Sequence, residues 1–109
     1  MVTAETAVVL PVLLLVLAGA VAAVIVVGAQ LRCVDAAREG ARAAARGDTT
    51  AVVEALVART APDGATTTVA AGERDVRVTV TAHIAALGPV PLRLTVSAEA
   101  VAAREPGTG

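Results

Sequence analysis

Few side chains in this sequence could do chemistry, and the most conspicuous is Glu5. It stands at the lip of an uncharged, mostly apolar run from Thr6 to Leu31, 26 residues long, with only Met1, Val2, Thr3 and Ala4 before it. A carboxylate at the edge of a hydrocarbon layer is costly enough to count as a functional candidate; the competing reading is a solvated boundary residue. The single histidine, His83, falls on the polar side of an alternating stretch with Arg77, Thr79 and Thr81, which reads as a surface position. Cys33 is the single cysteine, which excludes an internal disulfide and any Cys-based zinc site within one chain. Just past the apolar run, it reads as a small buried thiol in a helix, with an intermolecular disulfide as the alternative. Asp35 and Glu39 are four apart, but interleaved arginines make a salt-bridged exposed face of them. No phosphate-cradling Gly loop, zinc-protease helix or nucleophile triad can be assembled. The sequence therefore points away from an enzyme and names no catalytic residue, cofactor or metal.

The elements that hold these residues begin with the apolar run. It exceeds the roughly 20 residues needed to span a bilayer. A secretory signal peptide is the rival, with Ala18-Gly19-Ala20 as its cleavage site, but the hydrophobicity continues through Val21–Val27 and nothing basic precedes it. A retained membrane helix is the better reading, with lipid as its first partner. Pro11 removes one backbone hydrogen bond inside it, which membrane helices tolerate. Ala18 with Ala22, and Gly19 with Ala23, place small residues on one face at a spacing that permits close helix packing.

The helical pattern continues beyond the span in LRCVDAAREGARAAARGD. Arg38, Arg42 and Arg46 recur every four residues, with Asp35–Arg38 and Glu39–Arg42 as partners three apart. Ala37, Ala41 and Ala45 form one row of small residues, and Ala36, Gly40 and Ala44 another. Gly47 is a helix stop, and Asp48 a cap for the next helix. A helix from about Thr3 to Arg46 would be roughly 65 Å long. Val52, Val53, Leu56 and Val57 then mark a short amphipathic helix over about residues 49–60. After the Pro62-Asp63-Gly64 turn the period switches from helical to alternating. Thr66–Ala71 is a first strand and Gly72–Asp75 a hairpin turn. Val76, Val78, Val80, Ala82 and Ile84 then point inward, Gly88-Pro89-Val90-Pro91 turns the chain, and Leu92, Leu94, Val96, Ala98 and Ala100 point inward again. This is an antiparallel three-stranded meander, and the fold class is α+β.

Composition narrows the partners. Hydrophobic residues make up 56% of the 109, without one Phe, Trp or Tyr, and all nine basic residues are Arg. A net charge of −1 and the absence of stacking platforms argue against nucleic acid. The part beyond Asp48 has too little apolar bulk to stand alone. The small-residue face of residues 33–46 is the surface it would pack on.

Taken together, VTAETAVVLPVLLLVLAGA, the Arg38-Glu39-Gly40-Ala41-Arg42 block in DAAREGARAAARGD, and the Pro-Asp-Gly turn with its Val/Thr meander resemble the TadE-like family. These are minor pilins or pseudopilins of the tight-adherence pilus systems related to type IV pili. The resemblance implies a pilin-like fold, with other pilins, the pilus assembly machinery and a prepilin peptidase as partners. That peptidase removes a short basic leader after a glycine and leaves glutamate at the fifth mature position. Glu5 holds that place if Met1 is the first mature residue. Three accounts of the start stay open: translation from upstream of Met1, a mature chain whose leader has gone, or a chain that is never processed. The resemblance further implies that the Glu5 carboxylate pairs with the α-amine of a neighbouring subunit and sets axial register.

The implied division is 1–31 as the N-terminal segment with the transmembrane helix, 32–47 as its extension, 48–104 as a small α+β extracytoplasmic domain, and 105–109 as a flexible tail. The arginines after the span would by themselves put that domain in the cytoplasm; a basic leader would reverse the balance. The helix-packing candidates are Pro11, Gly19, Ala23, Gly40 and Ala41. The runner-up function is a single-pass, signal-anchored scaffold or binding module that never enters a filament.

Overall fold

The computed structural model describes residues 2–84 and 93–104. The expected turn at Gly88–Pro91, the inward Leu92, the tail 105–109 and Met1 itself lie outside the described residues. A helix α1, Val2–Ala45, is followed by α2, Thr50–Thr60, and by strands β1, Thr66–Ala71, β2, Asp75–Ile84, and β3, Leu94–Ala103. The strands form one antiparallel sheet in the order β1-β2-β3. This is the expected α+β architecture, 77 × 20 × 17 Å in extent.

The 44-residue α1 runs unbroken through Pro11 and past the apolar run, because Ala, Arg and Glu beyond residue 34 are good helix formers. It ends at Gly47, whose φ of 89° only glycine adopts without strain. The Asp48 N–H then donates to the Ala43 carbonyl and the Gly47 N–H to that of Ala44, closing a Schellman turn. Asp48 is thereby used up as the second residue past the helix, with its carboxylate 3.3 Å from Arg46. The cap of α2 is Thr49 instead, whose Oγ1 accepts from the Val52 N–H at 3.3 Å.

Both helices lie on one face of the sheet. From α1 the buried stripe is Cys33, Ala36, Ala37, Gly40 and Ala41, with Ala43 and Ala45 buried in the last turn; the stripe recurs at intervals of three and four as a helix face requires. Against it come Val53 and Val57 of α2, then Val76, Val78, Val80 and Ala82 of β2 and Val96 and Ala98 of β3. α2 meets this narrow strip with a single ridge at four-residue spacing, Val53, Val57 and Ala61. Val52, expected on that face, is left 46% exposed. Leu94 also departs from expectation: it lies on the inward register but beyond the cover of the helices, and is 42% exposed. The opposite face of the sheet is open and rich in hydroxyls, with Thr81 paired to both Thr66 and Ser97.

Candidate functional site

Among the described residues, most of the exposed large hydrophobic side chains lie on the apolar half of α1. The most hydrophobic stretch of the helix has none of its residues buried by the rest of the chain. Leu14, Leu15 and Val24 are each about two-thirds exposed or more. A shallow apolar trough is lined by Pro11, Leu14, Leu15, Leu17, Ala18 and Val21, and a second by Ala23, Val24, Val27, Gly28 and Leu31. At Gly19 and Gly28 an added Cβ would meet nothing within 4 Å, so neither glycine is explained by packing within this chain. Glu5 stands exposed in the first turn of α1, where a carboxylate is favoured by the helix dipole.

The packing candidates fall into two groups. Pro11, Gly19 and Ala23 lie on the unpartnered apolar half. Gly40 and Ala41 are buried in the chain's own core. At Gly40 a Cβ would come within 2.8 Å of Val57 and 3.1 Å of Val78, so glycine is what lets α1 approach α2 and β2 together.

Between these halves is a junction that local patterns did not point to. The Arg32 guanidinium donates from Nε to the Thr60 carbonyl at 3.2 Å and from Nη2 to that of Ala61 at 3.1 Å. A cation thus caps the C-terminal end of α2, where the dipole favours it. Gln30 donates from Nε2 to the Ser97 carbonyl at 3.0 Å. These partners are 28 to 67 residues apart in sequence, so no spacing rule could have announced them. Glu39 accepts from the Thr60 hydroxyl at 3.1 Å rather than closing on Arg42. Among the described residues the ion pairs are Arg46–Asp48 and Arg77–Glu99; the expected Asp35–Arg38 and Glu39–Arg42 pairs are not formed. At the exposed helix surface water solvates both charges, and little is gained by locking two long side chains together.

Cys33 is free and fully buried. Burial pushes its thiol above the ordinary range, and the nearby Arg32 offsets part of that rise. His83 is exposed, with Nδ1 3.0 Å from the Thr95 hydroxyl. Among the described residues no group of three or more His, Cys, Asp and Glu could hold a metal ion.

A single long apolar helix at the N-terminus, continuous with a small α+β head, is consistent with a single-pass membrane anchor. Comparison with known proteins defines the group more closely. A family model described as TadE-like protein matches residues 1–42. The chain is also 42% identical over 105 residues to a Mycobacterium tuberculosis protein named Apoptosis inhibitor Rv3655c, covering 95% of this chain and 79% of the relative. No solved structure matches. The chain belongs to the TadE-like family, and membership associates it with tight-adherence pilus systems.

Proposed function

We propose that this chain is a minor pilin-like subunit of a tight-adherence pilus, held in the membrane by α1 and packed against other pilins by the same helix during assembly. The observation that carries the reading is the unburied apolar half of α1. Fifteen Leu, Ile and Val residues between positions 8 and 31, at about −0.3 to −0.6 kcal/mol each, favour a hydrocarbon environment by about 5 to 9 kcal/mol. A carboxylate at the edge of the layer costs less than the about 3 kcal/mol of one at its centre, so Glu5 does not prevent insertion. Its role comes later. Inside a bundle of apolar helices it pairs with the α-amine of a neighbouring subunit, so each charge removes the other's desolvation penalty. The head, residues 48–104, stands on the extracytoplasmic side. The family resemblance adds a prepilin peptidase to the partners of this reading. The role is structural and involves no catalysis.

The test is Glu5→Gln and Glu5→Ala at the native locus. Both variants should fractionate with membranes as the wild type does, while their recovery in sheared filaments falls tenfold or more, as loss of one member of a buried pair demands. Unchanged recovery would remove Glu5 from assembly. A wild-type chain that never leaves the membrane fraction would be an anchored scaffold instead.

A further inference from the structure

The direction in which the head is fastened to α1 turns one end of the sheet toward the apolar half of the helix. Two contacts fix this. Gly40 lies against Val78 of β2, and Gln30 reaches the Ser97 carbonyl of β3, opposite Thr81 of β2. From Val78 to Thr81 the sheet therefore descends along α1 toward its apolar half. Continuing from Val78 to Ile84 is about 20 Å of strand, equivalent to about 13 residues of helix, which reaches the level of residue 27. From Ser97 to Leu94 is about 10 Å, or six to seven helical residues, which reaches residue 23 or 24. The half-buried Val26 and Ala29, packed against the core, lie at or just above that level.

The apolar run of 26 residues is about 39 Å long, while the hydrocarbon core is about 30 Å thick. With Glu5 at one edge of the hydrocarbon, as the anchor reading has it, the last six residues of the run extend into the head-group layer, and the paired ends Ile84 and Leu94 come level with that boundary. Their chemistry suits it. Leu94 is 42% exposed and Ile84 half-buried. With His83, Thr95 and the exposed Arg93 they line a depression of about 360 Å³. The acidic groups of β2 and β3, Asp75 and Glu99, lie at the far end and the middle of the sheet. Asp63 precedes β1, two strands away from Arg93. An apolar tip with an arginine beside it complements anionic phospholipid, whose negative surface potential attracts cations held close to it.

We infer that the Ile84–Leu94 end of the sheet rests on the bilayer, with Leu94 in the interfacial layer and Arg93 on anionic head groups, as a second membrane contact beside α1. The inference rests on the membrane-anchor reading, and its test separates the two. Single-cysteine labelling is practical because native Cys33 is fully buried. An environment-sensitive fluorophore is attached through Leu94→Cys, Leu14→Cys or Val101→Cys in the full chain, reconstituted in nanodiscs of phosphatidylcholine with or without 30% phosphatidylglycerol. Quenching is measured with lipids spin-labelled near the head group or deep in the chain. The Leu94 site should be quenched severalfold more by the shallow probe than the Val101 site. Phosphatidylglycerol should increase that quenching, and Arg93→Gln should abolish the increase. Equal quenching at Leu94 and Val101, with Leu14 quenched by the deep probe, overturns the inference and keeps the anchor. A Leu14 site quenched by neither probe overturns both.

Discussion

Replacing Gly40 with alanine sets two effects of opposite sign against each other. In a solvent-exposed helix the change gains about 1 kcal/mol, because glycine loses more backbone freedom on folding. At position 40 the new Cβ would stand 2.8 Å from Val57 Cγ2, 3.1 Å from Val78 Cγ1 and 3.5 Å from Val53 Cγ1. All three valines are fully buried, and branched side chains have little freedom to turn aside. Relief requires α1 to back away from α2 and β2 at once. Overpacking of this kind costs about 1 to 3 kcal/mol, so Gly40→Ala should lose about 1 kcal/mol after the propensity gain. With no aromatic residue there is no intrinsic fluorescence to follow, but Cys33 serves as the reporter. It lies two turns before Gly40 on the same buried stripe and is 0% exposed, so a thiol reagent reaches it only when the interface opens. Where opening and closing are fast compared with labelling, a loss of 1 kcal/mol speeds labelling about fivefold. Gly19→Ala, with nothing within 4 Å, should leave the rate unchanged or lower it. Val57→Ala in the Gly40→Ala background should couple favourably, by about 0.5 to 3 kcal/mol. A Gly40→Ala chain labelled no faster than wild type would refute the close-approach argument.

Arg32→Ala uncaps the C-terminal end of α2 and should cost about 1 kcal/mol, read as roughly fivefold faster Cys33 labelling at fixed thiolate fraction; Arg32→Lys should recover only part, because an ammonium cannot span both carbonyls. The raised thiol of Cys33 fixes the sign of an alkaline effect. Below its ordinary value of 9.0 the group is neutral in both states and contributes no pH dependence. Above it the unfolded chain ionises first, so stability falls as pH rises, by up to about 1.4 kcal/mol per unit until the folded thiol titrates. Urea midpoints by far-UV circular dichroism between pH 7.5 and 10.5 should show this decline in the wild type and a shallower one in Cys33→Ala; parallel curves would count against it.

The elements were legible because each boundary has a local cause. The change from a three-to-four to a two-residue period places β1 at 66–71, as observed, and Gly47 ends α1 because the next turn needs positive φ. Errors arose where two local rules competed or where tertiary cover decided. Asp48 and Thr49 are both good caps, and the Schellman closure of α1 consumed the first. Val52 and Leu94 have the right period, but the helical layer is too narrow to cover them. The junction of Gln30 and Arg32 with Ser97, Thr60 and Ala61 depends on three elements docking together, which no window of sequence contains. For the functional surface, the apolar run was legible as apolar. That Gly40 and Ala41 face inward while Gly19 and Ala23 face outward was not, since all four share the same small-residue spacing.

That division has a mechanical consequence under the pilin reading. A head built from Ala and Val buries little apolar area per residue, so it needs close approach rather than bulk, and Gly40 supplies it. The result is a head joined to α1 along residues 26–45 by contacts from both helix and sheet, with the Arg32 clamp at the base. No linker intervenes: one helix runs from Val2 to Ala45. A displacement at the Glu5 end is therefore transmitted along the axis to the head instead of being absorbed by a hinge. If Glu5 sets the axial register of an incoming subunit, the same contact sets the height at which its sheet emerges. Inserting two glycines between Ala23 and Val24, ahead of the residues that pack on the head, would break that transmission while leaving both Glu5 and the core residues in place. Such a chain should still enter the membrane but should assemble as poorly as Glu5→Ala; normal incorporation would show that the head is positioned independently of the helix.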